Sequence, residues 1–299
     1  MNASVRLLDE TLPATVHLRV TVPETHPSAA VLGTERAGTG TLVDPGGLVL
    51  TVNYIVLGAP SAQVTLVDGR ELVGEVIAQD FATGVALLKV PAVSLPTLPL
   101  RTPPEVAVGD ETFIVASVGD GGRRASSGAV TSVGPFDANW EYALDRAIFT
   151  SAMNPGLGGG PLIDVHGRLV GIVSLNLNEI GRFSLAIPVE CYRDHREELL
   201  RFGRRPSRPA RAWLGLYCYT LRSHVVIAGL LVGAPGAQAG LAQGDVLLAI
   251  DDREVASRRE LYESLWARRP GERVLLRVYR NSEMVTVEAT AGDVEEFFA

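Results

Sequence analysis

Residues 154–162 read N-P-G-L-G-G-G-P-L, four glycines in five positions bracketed by prolines. Glycine costs too much backbone entropy in a regular helix or strand, and proline lacks the amide that either would use. The stretch is therefore a tight loop whose backbone amides are free to point inward, toward an anion or a carbonyl oxygen acquiring charge. No reactive side chain stands inside it. Downstream, I-D-V-H-G-R-L-V-G-I (163–172) places a hairpin-type turn, D-V-H-G, before a β-branched run.

The same texture extends upstream. From about Ala14 to Ile187, short apolar runs such as T-V-H-L-R-V-T-V, G-V-A-L-L-K-V and T-F-I-V-A-S-V alternate with Gly, Pro and Asp. Many short strands at close spacing point to a sandwich or to barrels. The proline cluster between Pro91 and Pro104 reads as a crossover between two such units. A helical pattern follows Pro188 and stops at Gly203, and R-R-P-S-R-P-A-R reads as a linker. From Ala212 the pattern changes. Strands surround one amphipathic segment, S-R-R-E-L-Y-E-S-L-W, with Ser257 as N-cap and Leu261, Leu265 and Trp266 on one face.

Composition excludes several classes. The 299 residues carry a net charge of -7, and no basic stripe is present to neutralise phosphates, so nucleic acid is not an expected partner. Two cysteines, Cys191 and Cys218, cannot make a zinc site of the usual spacing and read as buried free thiols, so no metal or cofactor is expected. No apolar run reaches the roughly 20 residues of a membrane span. No apolar leader core is visible in the N-terminal segment, so the chain as written reads as cytoplasmic, or as periplasmic or secreted if a leader has been removed.

The second half resembles a PDZ domain. The stretch A-P-G-A-Q-A-G-L-A-Q-G-D-V-L-L-A-I-D-D (234–252) is similar to that family's core, with Asp252 at a usual glycine. The resemblance implies β-augmentation by a peptide, its terminal carboxylate held by the loop Trp213, Leu214, Gly215 and Leu216. The first half resembles the trypsin-like domain of HtrA/Deg proteases in three ordered segments: G-T-G-T-L-V-D-P-G-G-L-V-L-T-V-N-Y-I-V, D-F-A-T-G-V-A-L-L-K-V, and T-S-A-M-N-P-G-L-G-G-G-P-L-I-D-V-H-G-R-L-V-G-I. It implies a mainly β fold of two chymotrypsin-like antiparallel barrels followed by a small α+β PDZ domain. The implied boundaries are 1–104 and 105–203 for the barrels, 204–211 for the linker, 212–291 for the PDZ domain and 292–299 for a frayed tail.

Against the family pattern, the histidine, aspartate and serine positions hold Tyr54, Gly84 and Gly158. Tyrosine titrates near pH 10 and is a poor base at neutral pH, and glycine supplies neither a carboxylate nor a hydroxyl. An oxyanion-loop remnant is expected at the amides of Gly156, Leu157 and Gly158. None of His17, His26, His166, His195 and His224 falls where a neighbour of Gly158 is expected. The resulting expectation is a bacterial protein that is not an enzyme and has no catalytic residues, binding polypeptides or protein C-termini as adaptor, sensor or regulator. The alternative is an active serine-type endopeptidase with displaced catalytic groups. A homo-oligomer is open, but the N-terminal segment lacks the aromatic residues of the family's trimer contacts.

Overall fold

The computed structural model describes residues 3–119, 121–177 and 181–299 and divides them into two compact units. The first unit comprises residues up to 135 and 145–206, and the second comprises 136–144 and 207–299.

Two closed barrels make up the first unit. Strands β1 (Thr15–Thr21), β2 (Glu35–Asp44), β3 (Leu48–Val52), β4 (Ser61–Thr65), β5 (Glu71–Asp80) and β6 (Val85–Lys89) close in the order β1-β2-β3-β6-β5-β4. Closure leaves no unpaired edge, and the inward side chains supply the core. Val16, Leu18, Leu42, Leu50, Leu87 and Leu88 have no accessible surface. The D-P-G-G turn works as its sequence suggests, because the Asp44 carboxylate accepts the Gly46 amide at 2.8 Å.

The second barrel takes β7 (Glu111–Ser117), β8 (Arg123–Asp137), β9 (Ala143–Thr150), β10 (Pro161–Asp164), β11 (Leu169–Asn176) and β12 (Ser184–Pro188) in the order β10-β11-β12-β9-β8-β7. Ile114, Val130, Ile148, Leu162 and Val173 meet in its interior. Strand β8 carries little sequence signal, since R-R-A-S-S-G-A-V-T-S-V-G-P-F-D is half-exposed and rich in Ser and Gly. The helical pattern after Pro188 is broken in two, Glu190–Arg193 and Arg196–Phe202, with Gly203 as a left-handed C-cap.

In the second unit, β13 (Leu216–Leu221), β14 (His224–Leu230), β15 (Val246–Ile250), β17 (Arg273–Arg280) and β18 (Glu283–Thr290) form a sheet in that order, with β16 (Arg253–Glu254) on β15. The helix Arg258–Trp266 starts where Ser257 Oγ accepts the Glu260 amide. It turns the fully buried Leu261, Tyr262 and Leu265 into the core. In the G-D-V-L-L-A-I run, Asp245 is buried because Arg280 grips both its oxygens at 2.6 Å and the Ala242 amide donates to it.

Two boundaries differ from the sequence reading. Residues 136–144, assigned above to the second barrel, pack in the PDZ unit, with Ala143 in its core. The tail is not frayed. Gly292 exchanges two backbone hydrogen bonds with Trp213, the helix Val294–Phe297 begins at an Asp293 cap, and the Phe297 ring lies 4.8 Å from that of Trp213. Apolar contact with the indole is what holds it, which a charge-rich terminal sequence does not advertise.

Candidate functional site

The glycine loop lies between the two barrels and is tied to both. Its Gly158 carbonyl accepts the Thr39 amide at 2.7 Å, and Thr39 Oγ1 donates to the Leu157 carbonyl at 2.7 Å. Gly159 adopts φ +90°, and a Cβ there would run into the Thr39 carbonyl and Thr51 Oγ1. Only glycine fits that position.

Of the three positions expected for the triad, Tyr54 and Gly158 meet at this loop. Tyr54 O–H donates to the Ser174 carbonyl at 2.8 Å. Burial pushes its hydroxyl up to about 12, so the ring presents a neutral donor that is already engaged. A Cβ built at Gly158 meets the Tyr54 hydroxyl first. Gly84, at φ +78°, donates to Asp80 and accepts the Asn53 amide at 2.8 Å, which seats it beside the Tyr54 backbone. The short helix carrying Tyr54 is held from below by the buried Arg36 guanidinium, which donates to the carbonyls of Gly33, Tyr54 and Leu57 and to Ser28 Oγ.

The loop amides are less free than the sequence suggests. Leu157 N–H donates to the Ser117 carbonyl at 2.9 Å, and Gly156 N–H reaches the Asn154 side chain at 3.3 Å. An inward-facing cradle at Gly156 and Leu157 is therefore corrected to a loop that spends those donors on its own scaffold. One histidine lies in the same barrel-to-barrel region without touching Gly158. His17 lies against Ser117, Nδ1 to Oγ at 2.9 Å, both side chains buried, and Ser117 is the residue whose carbonyl holds Leu157. A Ser–His pair does exist one residue-contact away from the loop. No sequence signal could reveal it, because 100 positions separate its members.

In the PDZ unit, Gly215 takes φ +77°, and a Cβ there would strike Ala234. This conformation turns the flanking amides the same way. Both Leu214 N–H and Leu216 N–H point at one carboxylate, that of Glu141. Leu216 reaches Oε1 at 2.7 Å and Leu214 reaches Oε2 at 3.1 Å. The carboxyl group is buried, although part of the residue remains accessible, and burial raises it to about 7 against the pull of these amides. Neighbouring residues of the same segment pair with β13. Trp140 bridges Tyr217 in antiparallel register, and Cys218 N–H donates to the Asn139 carbonyl at 2.6 Å. The sequence reading found the loop and missed the residue on it, since N-W-E-Y carries no motif.

The comparisons bear on the two domains. Residues 38–172 match the model of the trypsin-like peptidase domain, and 212–290 match that of the PDZ domain. A probable periplasmic serine endoprotease, DegP-like, from Halomonas elongata is 31% identical over 86% of this chain and 56% of its own length. The serine endoprotease DegS of Haemophilus influenzae is 27% identical over 87% of this chain and 77% of its own. The solved structure of the HtrA-type protease AlgW with a tripeptide superposes with a TM-score of 0.59 at 25% identity, covering 98% of this chain and 97% of that one. The chain spans only about half the length of the DegP-like relatives.

Two expectations are thereby corrected. That the chain is not an enzyme rested on three side chains, whereas its relatives along nearly the whole chain are named serine endoproteases. The cytoplasmic assignment finds no support among relatives named periplasmic. Trypsin-like barrels and a PDZ sheet, in this order and with these relatives, identify the chain as a member of the HtrA-type protease family with one PDZ domain.

Proposed function

We propose that this chain is a periplasmic polypeptide-binding member of the HtrA family, in which the PDZ unit senses extended segments ending in a carboxylate. One observation carries this reading: Leu214 N–H and Leu216 N–H converge on a carboxylate at the end of a strand edge, β13, that already accepts an antiparallel partner. Main-chain pairing supplies affinity in such a mode, and the carboxylate fixes which end of the peptide is read. A library of decapeptides with free C-termini, titrated against the full chain beside the same library C-terminally amidated, tests it. Saturable binding of the free acids that amidation abolishes is expected. Equal binding of both, or of neither even at millimolar concentration, would refute the reading.

A second reading, serine-type endopeptidase activity, is favoured by the names of the relatives. Hydrolysis by this chain requires a hydroxyl and a base from outside positions 54, 84 and 158. Among the described residues, Ser117 with His17, both buried, is one pair of that kind near the glycine loop. Fluorophosphonate labelling followed by peptide mapping decides it. Adduct at Ser117, lost in Ser117→Ala together with casein hydrolysis, supports this reading, and an unlabelled chain counts against it.

A further inference from the structure

We infer that residues 136–144 are an intramolecular ligand of the PDZ groove, with Glu141 standing in for the terminal carboxylate of a bound polypeptide, so that any external C-terminus binds only by displacing it. This rests on the peptide-binding reading above and adds the groove's resident competitor.

The segment satisfies the three requirements of β-augmentation at once. It runs antiparallel to β13, through the Trp140–Tyr217 bridge and the Cys218 amide on the Asn139 carbonyl. It ends its paired stretch at the loop, where the Glu141 oxygens take the amides of Leu214 and Leu216. It is clasped from the other side by the helix Arg258–Trp266, where Tyr262 O–H donates to the Ala138 carbonyl at 2.9 Å and Arg258 Nε donates to Asp137 at 2.9 Å. A strand on one side, a helix on the other and a carboxylate in the amide loop is what a C-terminal peptide would make. Here the carboxylate belongs to a side chain within the chain, so no free terminus is needed.

An internal occupant lowers apparent affinity by the fraction of time the groove is open. A groove open in about one molecule in ten or fewer binds external peptide at least about tenfold more weakly than an emptied groove does. Glu141→Ala removes the carboxylate while leaving the loop amides for the incoming terminus. Glu141→Gln keeps an acceptor of the same size without charge and serves as the conservative control.

The test uses the full chain and a fluorescein-labelled decapeptide, S-V-G-P-F-D-A-N-W-E, copied from residues 132–141 and carrying a free C-terminus. Glu141→Ala should bind it at least about tenfold tighter than wild type, with Glu141→Gln in between. Hydrogen exchange gives a ligand-free readout: the Leu214, Leu216 and Cys218 amides should be protected in unliganded wild type and exchange faster in Glu141→Ala. Thermal melts establish that each variant is folded. Equal affinities in folded wild type and Glu141→Ala, or unprotected amides in unliganded wild type, overturn the inference while leaving peptide binding intact. If neither protein binds this decapeptide or any free-acid library member, it is the peptide-binding reading that fails, and the amide protection alone then decides whether the segment is resident.

Discussion

Tyr54 and Gly158 are complementary: the hydroxyl of the first lies in the space that any side chain on the second would enter. The two positions are therefore coupled: a side chain cannot be added at position 158 without moving Tyr54. Gly158→Ser should destabilise the first unit by about 1–3 kcal/mol, the usual cost of forcing an atom into a filled site. Combined with Tyr54→Ala, the same serine should cost less than the sum of the two single changes, by about 1 kcal/mol or more. Chemical denaturation of the four proteins measures the coupling, and simple additivity would show that Tyr54 does not police this position.

Gly159 should be the least tolerant residue of the loop. A Cβ at Gly156, Gly159 or Gly160 would each meet a backbone carbonyl, of Ser117, Thr39 and Val115 in turn, but only Gly159 adds a φ of +90°, strained for any L side chain. Gly159→Ala should cost about 3 kcal/mol or more, whereas Gly156→Ala has no positive φ to overcome and should cost less. Midpoints of urea unfolding compare the two directly.

The seat of Glu141 should depend on pH. Docked, its carboxyl titrates near 7, while an undocked glutamate titrates near 4.5. Between those values the undocked form loses its proton first, so rising pH favours release. The contribution of this group to docking is fully present below about pH 4.5 and is lost as pH rises through about 7, a change on the order of a hundredfold in the docking equilibrium. The ionisable groups around it leave the direction unchanged: Cys218 on β13 and Tyr262 on the helix are buried and held neutral, and Arg258 is occupied by Asp137. Affinity for the labelled decapeptide should therefore rise from pH 5 to pH 7.5 in wild type and stay flat over that range in Glu141→Gln. A wild-type profile as flat as that of the variant would refute this.

The docked tail should stabilise the PDZ unit. Phe297→Ala removes the ring that tilts against Trp213 at 4.8 Å. Phe297 is only half-buried, so the cost should fall below the 3–5 kcal/mol of a core phenylalanine, at about 1–2 kcal/mol. Tryptophan fluorescence should shift in the same variant as the Trp213 indole becomes wetter. An unchanged melting temperature would mean that the tail contact contributes nothing.

The sequence by itself determined what local chemistry can write. Glycine and proline spacing fixed the turns, β-branched alternation marked most of the strands, and Ser257 announced the start of the PDZ helix. The ordered motifs around Gly38, Gly84 and Gly158 indicated the barrels, and the A-G-L-A-Q-G-D run indicated the PDZ sheet. Strand β8 escaped because a polar, half-exposed strand lacks the alternation that sequence reading depends on. What only the tertiary structure decided are pairings between residues far apart in the chain: Tyr54 with Ser174, His17 with Ser117, and Glu141 with the amides of Leu214 and Leu216. A side chain's partner across 70 or more positions is set by barrel closure and strand register. Those arise from burying whole faces of sheet together rather than from any local preference.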